Sequence, residues 1–398
     1  MLSFAAAGIG AVLALWLLLL ASFAKPLRAL LREPIFKRPV LIFESDDWGP
    51  GPPDHADALH SIAATLRGFT DSDGHHPIMT LGVILATPDG AATTSDARAE
   101  LTLQDPRLAG IVEAMQAGVR SGVFQLQLHG RSHYWPEALA KASESTPEVA
   151  SWLSGQRAWR TEDLPAGLQS RWAPEIGAES FEIPAEAARA AAEAEARLFG
   201  ECLGATASVA VPTTFVWNPD VEAGWAAAGI RAIVTPGRYY RRRGQFADPG
   251  KAPMITNGMR SERVLYLVRD RYFEPFKGHS AADGLIALAA NTALGRPTLL
   301  ETHRINFLEP ALRDKSLAAI RDLLRAALER HRNLRFLSTV ELVDAIERSS
   351  PELFDGSLRR RIGIWCRRIR TLRSFWRLAR ATGLALAVAS VQRLAAPS

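Results

Sequence analysis

Cysteine is nearly absent: two residues in 398, Cys202 and Cys366, in unrelated segments. That excludes a disulfide framework and any cysteine-based metal finger, and it is compatible with a reducing compartment. No Gly-rich phosphate loop follows the first strand-like run, which argues against a dinucleotide-binding sheet. No acidic residue follows Asp355, whereas ten arginines do. The formal charge of +5 therefore belongs to the tail, since 47 basic minus 42 acidic groups become 37 minus 42, or −5, over residues 1–355. That acidic body has no interleaved basic and aromatic groove, so nucleic acid is not an expected partner. Residues 1–24 carry no charged side chain.

What is present is concentrated where short apolar runs end. Residues 40–43 form a continuous β-branched and apolar run of the kind that fills a buried parallel strand, followed at once by Glu44, Ser45, Asp46, Asp47, Trp48 and Gly49. Adjacent carboxylates repel, and at a buried strand end they need a cation or a shared proton. A second run, 123–128, delivers His129 and His133 just past its end. A spacing of four sets both imidazoles on one side of a helical turn or tight loop. A third run, 298–300, is followed by Glu301, His303 and Arg304. Singly, each cluster has an ordinary reading: an Asp pair as solvated or capping groups, two histidines as surface or satisfied core residues. Together they suggest two neutral imidazoles and one carboxylate as protein ligands, with open positions for water and substrate, as a catalytic divalent-metal site requires. Zn²⁺ is the expected ion.

These residues resemble the polysaccharide deacetylases of carbohydrate esterase family four. ESDD, residues 44–47, is similar to the family's TFDD motif, and residues 129–133 to its HxxxH motif. ESDDWG is also similar to the ADDFG opening of the chitooligosaccharide deacetylases, which share the barrel and the Asp-His-His metal site. The resemblance covers about residues 38–345 and is carried by short motifs. It implies Asp46 as catalytic base, Asp47, His129 and His133 as metal ligands, and His303 as general acid. The implied reaction is metal-dependent removal of N-acetyl (or O-acetyl) groups from a polysaccharide or lipid-linked glycan.

The family's third motif, RxPxG, has no clear counterpart. Its nearest, TFVWNPD at residues 214–220, lacks the arginine expected to tune the base, and Arg304 or Arg238 is the expected substitute. Substrate contacts are expected from Trp48, Trp135, Trp217, Asn218, Glu301 and Arg304. Aromatic faces suit sugar rings, although core packing accounts for a tryptophan equally well. Glu301 shares one strand face with His303. Two other classes stay open: another C–N or glycosidic hydrolase on the same barrel, and a non-catalytic, membrane-tethered saccharide-binding protein.

Alternating strand and helix units over residues 39–350 predict a distorted or incomplete (β/α) barrel, with a doubly wound open sheet as the alternative. Residues 138–181 mix polar and aromatic side chains without period and read as an inserted active-site loop. Residues 1–24 read as a transmembrane helix and 25–38 as a basic juxtamembrane linker. Lys25, Arg28, Arg32, Lys37 and Arg38 crowd the far side of that helix. The positive-inside rule then predicts a single-pass protein of a bacterial-type inner membrane with its catalytic domain on the cytoplasmic face. The periplasmic face is the alternative, as is a cleaved signal peptide ending near Ala24, although the basic start of such peptides is missing. In the tail, 351–398, Leu358, Ile362, Trp365, Ile369, Leu372 and Trp376 fall on one helical face opposite arginines. This is the pattern of a helix lying in a lipid interface, a helix packed on the barrel being the alternative.

Overall fold

A computed structural model describes residues 2–89, 100–155, 157–242 and 252–395, of which 2–7 as backbone only. Among the described residues nine strands share one parallel sheet: β1 (Val40–Trp48), β2 (Met79–Ile84), β3 (Phe124–Gly130), β4 (Val209–Ala210), β5 (Ala232–Thr235), β6 (Leu265–Val268), β7 (Arg271–Tyr272), β8 (Thr298–His303) and β9 (Arg335–Phe336). They neighbour one another in the order β6-β5-β4-β3-β2-β1-β8-β7, with β9 beside the start of β1. The order is sequential around a ring except for a gap between β6 and β7, which Arg269 and Asp270 join along the chain. The Arg269 amide donates to the Thr235 carbonyl (2.8 Å) and the Phe273 amide to that of Glu301 (2.6 Å). This segment therefore leaves one edge of the sheet and arrives at the other. The barrel is incomplete, and its seam lies at Arg269.

A period of two decides what fills the barrel. Val40 and Ile42 pack with Val209, Val211, Val234, Leu267 and Leu299, whereas Leu41 and Phe43 join the larger cluster between sheet and helices. Continuing along the inward face of β1 gives Glu44 and then Asp46. The same parity brings Glu301 and His303 from β8, Gln127 and His129 from β3, and Arg269 just past β6. Along β1, β6 and β8 the inward face thus changes from apolar to charged toward the C-terminal end, where barrel sites lie.

Several segments differ from expectation. Residues 105–120 make a short 3₁₀ turn, Pro106–Leu108, followed by the helix Ala109–Arg120, with the Asp105 side chain accepting from the Arg107 amide. The β-rich run at 208–216 is a strand only over Val209–Ala210, because Thr214 and Phe215, both at φ +57°, turn the chain. Residues 138–181 are not one loop: Pro136–Ser143 and Pro147–Leu153 are helices, and a small hairpin follows.

Among the described residues no single helix is long and apolar enough to cross a membrane; the segments Gly8–Ser22 and Ala24–Arg32 pass that test together, meeting at a 69° bend. The tail is not one free helix. It breaks into Leu358–Arg368, Arg373–Ala381 and Leu384–Leu394, with Gly383 at φ +78° between the last two. Ile369, Phe375, Ala379 and Leu384 are buried against Leu19, Leu27 and Leu30 of the first two helices. The indole of Trp16 donates to the Thr382 carbonyl (2.8 Å) and that of Trp365 to Leu27 (3.2 Å). Much of the tail's apolar face is therefore spent on the chain's own N-terminus.

Candidate metal and acid–base site

Strand parity aims Asp46 into the barrel and Asp47 away from it. The register of β1 against β2 shifts between Ser45 and Trp48, and Asp47 stands at φ +70°, so both carboxylates line one cavity. Aspartate is among the few residues that tolerate this backbone region. The room comes from β2, because a Cβ at Gly82 would stand 2.4 Å from Asp46 Oδ1. The cavity measures about 450 Å³.

One half of it is a ligand set. Asp47 Oδ1 lies 3.3 Å from His129 Nε2 and 3.4 Å from His133 Nε2. Each imidazole donates its Nδ1–H to a backbone carbonyl, His129 to Val211 (2.9 Å) and His133 to Gln169 (2.5 Å). A carbonyl only accepts, so each ring, when neutral, presents its Nε2 lone pair to the cavity. Asp47 Oδ1 is buried with no hydrogen-bond partner. The three atoms compete for one positive charge. Burial alone would lower the His129 pKa, but Asp46 and Asp47 raise it; burial and the His129 charge press His133 down to about 4. Two imidazole lone pairs and a carboxylate oxygen within 4.8 Å of one another fit a divalent metal. The loop holding His133 is braced by a buried pair, Arg171 to Glu195 (2.8 Å). Arg171 also donates to Ser132 Oγ (2.8 Å) and the Tyr134 carbonyl (3.1 Å).

The other half carries its own cation. Arg269 donates to Glu44 (2.8 Å), to Asp46 Oδ1 (3.2 Å) and to Asp46 Oδ2 (2.5 Å), and its Nε lies 3.3 Å from Glu301. Burial alone would raise the Asp46 pKa, but Arg269 and then His129 outweigh it, and Asp46 stays ionised. Burial raises Glu44 despite Arg269, and raises Glu301 to about 7. His303 Nδ1 donates to Glu274, which also accepts from Asn306. Burial opposes a charge on His303, but Glu274 and Asp47 prevail and raise its pKa to about 10. His303 Nε2 stands 3.7 Å from Glu301.

Asp46, Asp47, His129, His133, Glu301, His303 and Arg304 thus meet at one cavity. The other residues expected to touch substrate do not reach it. Trp48 is fully buried, its indole donating to Ser45 Oγ (2.9 Å). Trp135 is buried over the Arg171 guanidinium, 5.6 Å from its ring centre, so it braces the histidine loop. Trp217 is fully buried, donating to Glu222 (3.3 Å), and Asn218 caps the helix Pro219–Ala227. The three tryptophans pack, and Asn218 caps. Neither expected arginine side chain bonds Asp46: Arg238 is exposed and donates to the Ala252 carbonyl, and Arg304 is held by the carbonyls of Pro50 and Trp159. Arg269 and Glu274 went unread in the sequence, and Glu44 was named there without a role. The available signal was a charged residue closing the apolar run Leu265–Val268, as Asp46 closes its own.

No family model matches the chain, and no curated protein matches it. Solved structures that are similar to it include a 4-alpha-glucanotransferase from Thermococcus litoralis, at 10% identity and a TM-score of 0.42 over 77% of this chain. The chain spans only 40% of that protein's length. A peptidoglycan deacetylase from Bacillus subtilis is similar at 11% identity and a TM-score of 0.37, over 79% of this chain and 93% of its own. A family 4 carbohydrate esterase from Streptomyces lividans, in complex with acetate, is similar at 10% identity and a TM-score of 0.33, over 76% and 91%.

Proposed function

We propose that this cavity hydrolyses an acetyl group, N- or O-linked, on a polysaccharide or lipid-linked glycan, with the help of a divalent metal. The observation that supports it most is the division of the cavity. A ligand set short of one positive charge faces a base and an acid that are each held in the required protonation state.

Asp47, His129 and His133 would hold the metal, which supplies Lewis acidity to a carbonyl and a lowered pKa to water; Zn²⁺ suits these donors. Asp46 is kept as a carboxylate by Arg269, so it can take a proton from the attacking water. His303 is kept as an imidazolium by Glu274, so its Nε2–H can be given to the departing amine or alcohol. Glu274 fixes the ring by holding Nδ1, leaving the other nitrogen free toward the cavity. Tyr272, Phe276 and Lys277 line the cavity and are exposed, offering two aromatic faces and a cation where a sugar chain would lie. A purely saccharide-binding protein would need neither the buried base nor the paired acid.

The same reading puts the domain at a bacterial-type inner membrane, on its cytoplasmic face, and the apolar first helix with basic residues after it supports this. The chemistry is tested by measuring acetate release from N-acetylated and O-acetylated oligosaccharides by the zinc-loaded full chain. Release that is lost in Asp46→Asn and in His133→Ala supports the reading. Saccharide binding that is equal with and without metal, and no acetate, would leave a tethered binding protein instead.

A further inference from the structure

The barrel has two ends, and the chain's termini gather at only one of them. The buried Arg368 donates to the carbonyls of Glu33 (2.8 Å) and Pro34 (2.8 Å), just before β1, and of Leu294 (2.8 Å) and Gly295 (3.1 Å), just before β8. The terminal helices are therefore clamped to the end where strands begin. The cavity lies where strands finish. From Thr298 to His303 alone the chain advances about 17 Å, at roughly 3.3 Å per residue.

The base so formed has the composition of a lipid-facing surface. The first acidic residue of the chain is Glu33 and the last is Asp355, so neither terminal segment contains one. Lys25, Arg28 and Arg32 are exposed on the second helix, and Arg373, Arg377 and Arg380 on the helix Arg373–Ala381. The inner faces of these helices are spent on one another, but outward-facing leucines remain. Leu17 and Leu18 are 68% and 66% exposed on the first helix, and Leu386 and Leu394 75% and 80% exposed on the last. Exposed leucines beside arginines with no carboxylate among them match acyl chains below anionic headgroups.

We infer that both ends of the chain form one docking base for an anionic phospholipid bilayer, and that this base turns the cavity's mouth away from the membrane. The acetylated sugar would then be presented on a glycan chain extending from the surface, several units from any lipid. The inference rests on the membrane location proposed above, and it adds that the tail enters the interface together with the first helix.

The test uses the full chain with Cys202→Ser and Cys366→Ala, and one new cysteine carrying a polarity-sensitive fluorophore at Leu17, Leu386 or Lys277. Each is mixed with phosphatidylcholine vesicles, with and without phosphatidylglycerol. Blue shifts at Leu17→Cys and Leu386→Cys on anionic vesicles, with none at Lys277→Cys on the cavity's rim, are expected. Replacing Arg373, Arg377 and Arg380 together by Gln should weaken vesicle binding about a hundredfold. Its thermal midpoint and its acetate release from a soluble oligosaccharide should be unchanged. A shift at Leu17→Cys without one at Leu386→Cys would overturn the shared base while leaving the membrane location standing. A shift at Lys277→Cys would overturn the orientation. No shift at any position would remove the membrane location itself.

Discussion

The two halves of the cavity are built from the same side chains, carboxylates and imidazoles, yet only one contains a cation of the protein's own. Asp46, Glu301 and His303 lie within 4.8 Å of one another and would by spacing alone accept a metal, just as Asp47, His129 and His133 would. Arg269 already stands among the first set, bonded to Asp46 and beside Glu301. A divalent ion there would meet a fixed guanidinium, whereas beside Asp47 it would meet two lone pairs and a partnerless oxygen. Where the protein supplies the cation, the carboxylates are already partnered, and the function proposed above makes Asp46 the base. Where it withholds one, that proposal brings the charge from solution.

The most severe way to break this contrast is Arg269→Met. It leaves Glu44, Asp46 and Glu301 buried without their partner, a loss of roughly 3–5 kcal/mol, read as a fall in unfolding free energy in denaturant titrations. Adding Glu44→Gln should restore part of it. If the variant stays folded, it should bind a second divalent ion, since the obstacle to one has gone.

Asp46→Asn comes next: kcat should fall about a hundredfold to ten-thousandfold while zinc affinity holds. Equal loss of both would mean that the two halves are not separate.

Glu274→Gln sharpens the acid's side. The folded pKa of His303, about 10, lies above its ordinary value of 6.5. Its contribution to stability is therefore complete below about 6.5 and is lost as pH rises through about 10. In the variant, the His303 midpoint followed by NMR in metal-free protein should move down toward its ordinary value. The alkaline limb of kcat should move down with it, with kcat near pH 9 falling roughly tenfold to a hundredfold.

Trp217→Phe should do least. It leaves KM for the glycan unchanged and costs about 1–2 kcal/mol of stability, because the indole fills the core.

What could be read in advance follows from the same physics. The grouping of Asp47, His129 and His133 was visible because candidate ligands stand just past strand-like runs at a local spacing, which the sequence displays. The barrel was visible for a similar reason, since strand and helix units alternate along residues 39–350. Arg269 was not, although it too closes such a run. Its meaning depends on the seam that carries it to Asp46, 223 positions away in the chain. Glu274 reaches His303 across a segment of irregular structure, where no period announces which side chain points inward. The tryptophans misled because an indole near a strand end serves a sugar or a core equally well. Only the packing over Arg171 and Glu222 decides it. The terminal helices carry a similar ambiguity: a helical period shows that one face is apolar, not how much of it the chain's own N-terminus covers.

The measurement that bears most directly on the contrast is zinc stoichiometry, by calorimetric titration of the full chain, for the parent, His133→Ala and Asp46→Asn. One zinc in the parent and in Asp46→Asn, and none in His133→Ala, is the predicted result. No zinc in the parent, or zinc kept in His133→Ala and lost in Asp46→Asn, would contradict it.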